Sequence, residues 1–263
     1  DTGNLNMFHQ SIGSLTLLDD YRRWRDRVFL DELFKSESRG QSSDTQGGYY
    51  YPNGKSKTGV TVDTYTAAEF AAERYKFNVK TDLLEVVKSL RKRNVPVFQD
   101  GYYRCIADPS FMKDLRADQG FREVARYPGM GAPNPLMGMA SPNASLYQGG
   151  QYGQAQFVAG EPVMPSGFVF EGVRFFETTN MPSKTATVNY GDGAGAVTGR
   201  STPPGLFFGP QAVGVGIGGP NAQVLINNND DFSRFIILIW QLYAGFANLN
   251  KDFVTTAFTI VDP

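Results

Sequence analysis

An α+β fold is predicted by three features of the 263-residue chain. Segments 15–34 and 81–93 carry apolar residues at helical spacing, and several shorter runs carry β-branched and aromatic residues at strand length. Between them lie nearly uncharged stretches rich in Gly, Pro, Asn and Gln. Composition agrees: 41% hydrophobic and 19% charged residues describe a globular chain. The aromatic share of 13%, with 29 Gly and 15 Pro, favours strands and loops beside a few long helices.

In 15–34, Leu17, Tyr21, Trp24 and Val28 form an apolar stripe, Thr16 is the expected N-cap, and Asp19 and Asp20 suit the first turn. Residues 36–59 read as a polar linker, with a strand ending at Tyr49-Tyr50-Tyr51 and a turn at Pro52-Asn53-Gly54. Residues 64–79 are expected to be helical. The stronger helix, 81–93, places Leu83, Leu84, Val86, Val87 and Leu90 on one face. Its terminal Lys88, Arg91, Lys92 and Arg93 complement the macrodipole, a better explanation than a phosphate site, and Pro96 stops it.

A strand over Tyr102, Tyr103, Cys105 and Ile106 ends at Asp108-Pro109; the short helical segments FMKDLR and FREVARY follow. Residues 128–165 look like a long irregular loop, or a hairpin insertion around 155–158; loops this long usually serve function or contact partners. A strand pair over 168–179 turns at Glu171-Gly172. Residues 181–219 form a second Gly-rich stretch holding a short strand near 206–213 that leads into a turn or helix. Segments 235–243 and 253–261 are expected to be two buried strands, the second showing alternation of Phe253, Thr255, Ala257, Thr259 and Val261. No internal repeat is visible.

Little in the chain points to chemistry. One histidine, His9, and one cysteine, Cys105, make a zinc site or a Ser-His-Asp or Cys-His nucleophile an unsuitable reading. Cys105 lies in an apolar strand and is expected to be a buried thiol. A carboxylate hydrolase needs only acids, but Asp108, Asp114, Asp118, Glu161, Glu171 and Glu177 sit at turn or helix-start positions where capping explains them. The glycine patterns at 191–199 and 214–220 run into prolines instead of opening a helix, so flexible loops are expected instead of phosphate-binding turns. Asn227-Asn228-Asn229-Asp230-Asp231 lacks the spacing of a calcium loop and reads as a turn. A net charge of −1 gives no basic footprint for a nucleic-acid binder, and aromatics without interleaved Lys and Arg fit core and interface packing.

No cofactor, metal or membrane partner is expected. The N-terminus lacks a signal-peptide pattern, the longest apolar run is too short to span a bilayer, and a soluble protein of a reducing compartment fits best. Asp at position 1 predicts a processed or partial chain.

The order of motifs GYYRCIADPSFMKDLR, FREVARYPG, FVFEGVRFFETTNMP and FGPQAVGVG resembles the N4-gp56 type of major capsid protein, a tailed-phage shell subunit of the HK97-like fold. EGVRFFETTN carries most of the likeness, and helix 81–93 and segment 15–34 fall where that family has its helix before the strand and its spine helix. Two departures stand out: Asp108-Pro109 occupies the family's His-Pro-Asp position, and only residues 1–14 precede the spine position, where members carry an N-terminal arm and extended loop. The resemblance implies a long spine helix, a peripheral β-sheet and an axial α/β lobe. The implied division is 1–60 (peripheral), 61–235 (mainly axial) and 236–263 (strands returning to the peripheral part).

The implied role is non-enzymatic. Copies of the chain would form the hexamers and pentamers of an icosahedral virion shell around double-stranded DNA, assembled in the host cytoplasm. Other implied partners are cement, portal and scaffolding proteins, with DNA touched non-specifically. Candidate core residues of the hairpin are Phe170, Val173 and Phe175; candidate inter-subunit contacts are Arg22, Arg23, Tyr147 and Tyr152. Intrahelical pairs such as Arg22 with Asp26 and Arg27 with Asp31 are an equally good explanation of the charges in 15–34. From composition alone, a carbohydrate-binding or cell-surface module is the alternative, distinguishable because a β-sandwich would lack both helices.

Overall fold

The computed structural model describes residues 2–121, 156–158, 161–163, 169–182, 184–191, 195–218, 223–230, 235–241 and 243–261. Helix α1 (Thr2–Phe34) leads through a 3-10 turn (Lys35–Arg39) to β1 (Gly48–Tyr50), β2 (Lys57–Thr58) and β3 (Thr61–Thr66). Short α2 (Ala67–Ala71), one π-helical turn (Val79–Leu83) and α3 (Leu84–Lys92) follow, then β4 (Tyr103–Ala107) and α4 (Pro109–Ala117). Next come the hairpin β5 (Gln156–Val158) and β6 (Glu161–Val163), and the hairpin β7 (Val169–Phe170) and β8 (Val173–Glu177). The chain continues through β9 (Thr185–Gly191), β10 (Gly195–Ser201), β11 (Pro204–Phe208), β12 (Val213–Ile217), β13 (Gln223–Asp230), β14 (Phe235–Gln241), β15 (Ala244–Asn248) and β16 (Val254–Phe258).

The centre is a mixed six-stranded sheet in the order β1-β16-β11-β4-β8-β7. β4 runs parallel to β8, β1 parallel to β16, and β11 antiparallel to both its neighbours. Both faces are covered. On one, α3 and α4 deliver Leu83, Val86, Val87, Leu90, Phe111, Met112 and Leu115 against Cys105, Phe175 and Phe207. On the other, Leu30, Leu33 and Phe34 of α1 join Tyr51, Leu206, Phe208 and Phe258, together with Val62 and Val188 of a second sheet, β10-β9-β3-β2. The sheet takes β1 from residues 1–60, β4, β7, β8 and β11 from 61–235, and β16 from 236–263, so those three blocks interleave in it.

Sandwiching explains β16. Every residue from Val254 to Ile260 is buried, so the alternation seen in the sequence separates two covered faces, not core from solvent. Its threonines survive burial because each finds a partner. Thr256 Oγ1 meets Ser36 Oγ at 3.1 Å, Thr255 Oγ1 accepts from Arg93, and Thr259 donates to Asp114 while accepting from Phe77 N–H at 3.2 Å. Gly205 is required by contact: a Cβ there would stand 2.8 Å from the Phe111 ring of α4.

Several expectations are corrected. Thr16 is not an N-cap, because α1 is continuous back to Thr2. Its buried end is Leu30, Leu33 and Phe34, while Tyr21, Trp24 and Val28 are only half-buried. Residues 64–79 are not one helix. The β-branched and aromatic run at 61–66 is strand β3, and Thr66 caps α2 in a capping box with Glu69, whose N–H donates to Thr66 Oγ1 at 3.3 Å. In α3, Leu84 is exposed, since it lies away from the face of Leu83, Val86, Val87 and Leu90.

Among the described residues both glycine patterns enter strands: Gly191 ends β9, 195–199 lie in β10, and 214–217 lie in β12. Residues 227–230 belong to β13 and not to a turn; a register irregularity between Asn227 and Asp230 absorbs the polar run. Between the two expected C-terminal strands stands a third, β15, and Ile239 of β14 is 53% exposed, so that strand is not buried throughout.

Candidate assembly surface

Among the described residues, most exposed large apolar side chains fall in the C-terminal part of the chain, at Val215, Ile217, Ile239, Tyr243, Leu249 and Val261. β12 and β15 form an antiparallel ribbon pairing Val213 with Asn248, Val215 with Phe246 and Ile217 with Ala244. Directly paired residues share a face, so Val213, Val215, Ile217 and Phe246 make one apolar side, while Gly214, Gly216, Gly245 and Ala247 make the other. One end of the apolar side docks on α1. The Phe246 ring meets Phe29 edge-on at 6.3 Å, and Glu32 Oε1 accepts from Asn248 N–H at 3.0 Å. The other end is uncovered: Val215 is 53% and Ile217 59% exposed; Tyr243, whose carbonyl accepts from Gly218 N–H, lies on the glycine side of the ribbon and is 63% exposed. Scattered apolar residues are ordinary on a surface, but side chains grouped on one strand pair mark a contact site. Sequence reasoning misses these residues because the glycines alternating along β12 suggest a loop; the period-2 spacing of Val213, Val215 and Ile217 is the available signal.

α1 borders this ribbon. Arg22 and Arg23 are exposed on it, with Arg23 paired to Asp19 at 2.9 Å. That is an intrahelical i,i+4 pair of the expected kind, formed by other residues than those named, and Arg25 approaches Asp26 at 3.6 Å. Phe170, Val173 and Phe175 lie together elsewhere, in the core beneath α3 and α4. Phe170 packs 5.0 Å from Phe121, and Phe175 meets Phe207 edge-on at 6.1 Å. Glu171 and Gly172, both at positive φ, close the β7–β8 turn. Tyr147 and Tyr152 fall outside the described residues.

Of the acids that could suggest hydrolysis, Asp108, Asp114, Asp118 and Glu177 are occupied structurally. Asp108 caps α4 by accepting from Ser110 N–H at 2.8 Å, and Asp118 accepts from Gly120 N–H at 2.8 Å and from Val79 N–H at 3.2 Å. Glu177 pairs with Arg116 at 2.9 Å. Cys105 is fully buried, which raises its thiol well above the ordinary range and suppresses thiolate chemistry. Among the described residues no three His, Cys, Asp or Glu side chains gather as metal ligands, and none of their helices is long and apolar enough to cross a membrane.

No family model and no curated protein matches the chain. Solved structures do. The head structure of Helicobacter pylori bacteriophage KHP40 aligns with a TM-score of 0.50 and 14% identity over 93% of this chain and 68% of that one. The capsid of cyanophage P-SCSP1u gives 0.49 and 13% over 95% of this chain, and Helicobacter pylori bacteriophage KHP30 gives 0.48 and 13% over 97%. The chain spans 65% of the length of the cyanophage protein. The fold is α+β by its own elements and resembles the one in the KHP40 head structure.

Proposed function

We propose that this chain is a shell-forming subunit of a tailed bacteriophage, a major capsid protein of the N4-gp56 type. In this reading copies of it associate into hexamers and pentamers around double-stranded DNA. The observation that carries it is the capsid-subunit fold, reached independently of the motif order that suggested it. The exposed ribbon of Val215, Ile217 and Tyr243 supports it, since a subunit that buries its apolar surface only on assembly must display that surface alone. α1 serves as the spine helix. The peripheral part comprises α1 with the β12–β15 and β13–β14 ribbons, and the six-stranded sheet with α3 and α4 forms the axial lobe, which moves β16 into that lobe. Arg22 and Arg23 on α1, and Tyr147 and Tyr152, contact neighbouring copies. The role is structural, in the virion, with assembly in the host cytoplasm. Cement, portal and scaffolding proteins are further partners, and packaged DNA is touched only non-specifically, since a net charge of −1 provides no basic footprint. An antiparallel sugar-binding sandwich is disfavoured by α1, α3 and the parallel β4–β8 pair.

The test is a double substitution, Val215→Asp with Ile217→Asp, in the assembling protein. Both side chains are more than half exposed, so the monomer should keep its circular dichroism and melting behaviour while particles disappear. Normal particle yield from that variant would remove the ribbon from the assembly surface.

A further inference from the structure

Asn53-Gly54 is the single Asn-Gly pair in the chain, and it lies in the 3-10 turn Pro52–Gly54 between β1 and β2. Asparagine is a chemically labile side chain, and most so before glycine, where no side chain shields the following nitrogen. That nitrogen attacks the side-chain carbonyl carbon, Cγ. The N–Cγ bond forms, the Cγ–Nδ2 bond breaks, and the amide leaves as ammonia with the proton of the attacking N–H. Water then opens the cyclic imide at either carbonyl, giving aspartate or its chain-shifted isomer isoaspartate. Solvent water is the only co-reactant.

The folded turn denies each requirement of this reaction. Attack needs the Gly54 nitrogen to swing alongside the Asn53 side chain, whereas a ψ of 27° holds it near the opposite side of the Cα–C bond. The Gly54 N–H donates to the Tyr51 carbonyl at 3.1 Å, and the Gly54 carbonyl accepts from Gln41 Nε2 at 2.9 Å. The leaving amide is held as well: Asn53 Nδ2 donates to Glu69 Oε1, while Asn53 N–H donates to Asp82 Oδ1 at 2.8 Å. Glu69 is itself fixed, since it closes the capping box of α2 and pairs with Lys55 at 3.0 Å. Bringing the nitrogen to Cγ therefore requires the turn to open.

Loss of the amide would also oppose reclosing. Residue 53 would present a carboxylate to Glu69 in place of a donor, with Asp82 on the same residue's N–H. Glu69 is held below the usual carboxylate range, first by the Thr66 N–H at 2.9 Å. Asp82 is wholly buried, and burial, opposed by the hydrogen bonds it receives, pushes it up to about 6, so both acids are charged at pH 8. Lys55 is already shared between Glu69 and the Thr64 carbonyl. A third carboxylate here meets like charge.

We propose that Asn53 is a fold-gated deamidation site, silent while the turn at 52–54 is closed and reactive when it opens. Its acidic product faces Glu69 and keeps the turn from closing again.

The experiment is peptide mass mapping, with detection of isoaspartate, on the full chain held at pH 8 with and without urea. Asn53 should convert at least about tenfold more slowly in the folded chain, which reacts only through a minor open state. Glu69→Ala, which frees the amide, should raise the folded-chain rate about fivefold. Asn53→Asp, the product itself, should unfold at lower urea than Asn53→Ala at pH 8. A smaller difference between folded and urea-treated chain, or no gain in Glu69→Ala, overturns the gate. A midpoint for Asn53→Asp at or above that of Asn53→Ala overturns the block on reclosing. If Glu69→Ala does not fold, the unaltered chain with and without urea decides.

Discussion

Asp100 is governed by electrostatics opposite in sign to those at Asp82. Burial works to raise it, but the hydrogen bond and charge of Arg104 at 2.6 Å, joined by Arg174 at 3.1 Å, hold it below the usual carboxylate range. The two arginines are register partners on parallel strands, so Asp100 screens like charges set side by side. Its contribution is present above the ordinary carboxylate value and is lost as pH falls through the lowered one. Asp100→Asn should cost about 1–3 kcal/mol at pH 7, and the deficit should shrink in strong acid, as read from urea midpoints at the two pH values. Core residues give the larger effects. Phe175→Ala should cost about 3–5 kcal/mol, and Phe175→Asp should leave no folded subunit for assembly; normal particles from the latter would contradict its place in the core. At the hairpin, Glu171→Asn relieves a left-handed residue in an X-Gly turn, and thermal unfolding should show a gain of about 0.5–1 kcal/mol.

Elements separate by how much of their partner is local. α3 and the β7–β8 hairpin were legible because the periodicity of Leu83, Val86, Val87 and Leu90, and the strand-turn-strand of 168–179, are set within a few residues. β3 was misread because Ala67-Ala68-Glu69 extends a helical composition backwards into a β-branched run, and the Thr66 cap that divides them is a single side chain. β12 is obscured by the glycines that fill every second position, whereas β16 was legible as a buried strand; that both its faces are covered depends on α1 and α3 arriving from distant sequence. The same reasoning locates motion in α1. Its last turns are fixed by Leu30, Leu33 and Phe34, whereas Asp19 to Arg27 is mainly exposed. In dissociated subunits, amides of residues 19–27 should exchange much faster than those of 30–34, and the difference should narrow in assembled particles. Equal protection in free subunits would show that α1 needs no neighbour.

At the scale of the molecule, a central sheet covered on both faces gives the chain a buried core, while one end of the β12–β15 ribbon keeps apolar side chains in water. That combination suits a unit that folds alone and associates through an added surface, since interfaces gather apolar and aromatic groups with few charges at their centre. The candidate site was the less legible part of the chain. Arg22 and Arg23 were conspicuous as charges, but exposure of Val215 and Ile217 arises from how far α1 covers the ribbon, which no local pattern encodes. The most direct measurement is sedimentation velocity with negative-stain imaging of the protein from its native source. Closed icosahedral particles built from this chain are the predicted result. A monomer at every concentration, with no higher assembly, would contradict the shell-subunit account.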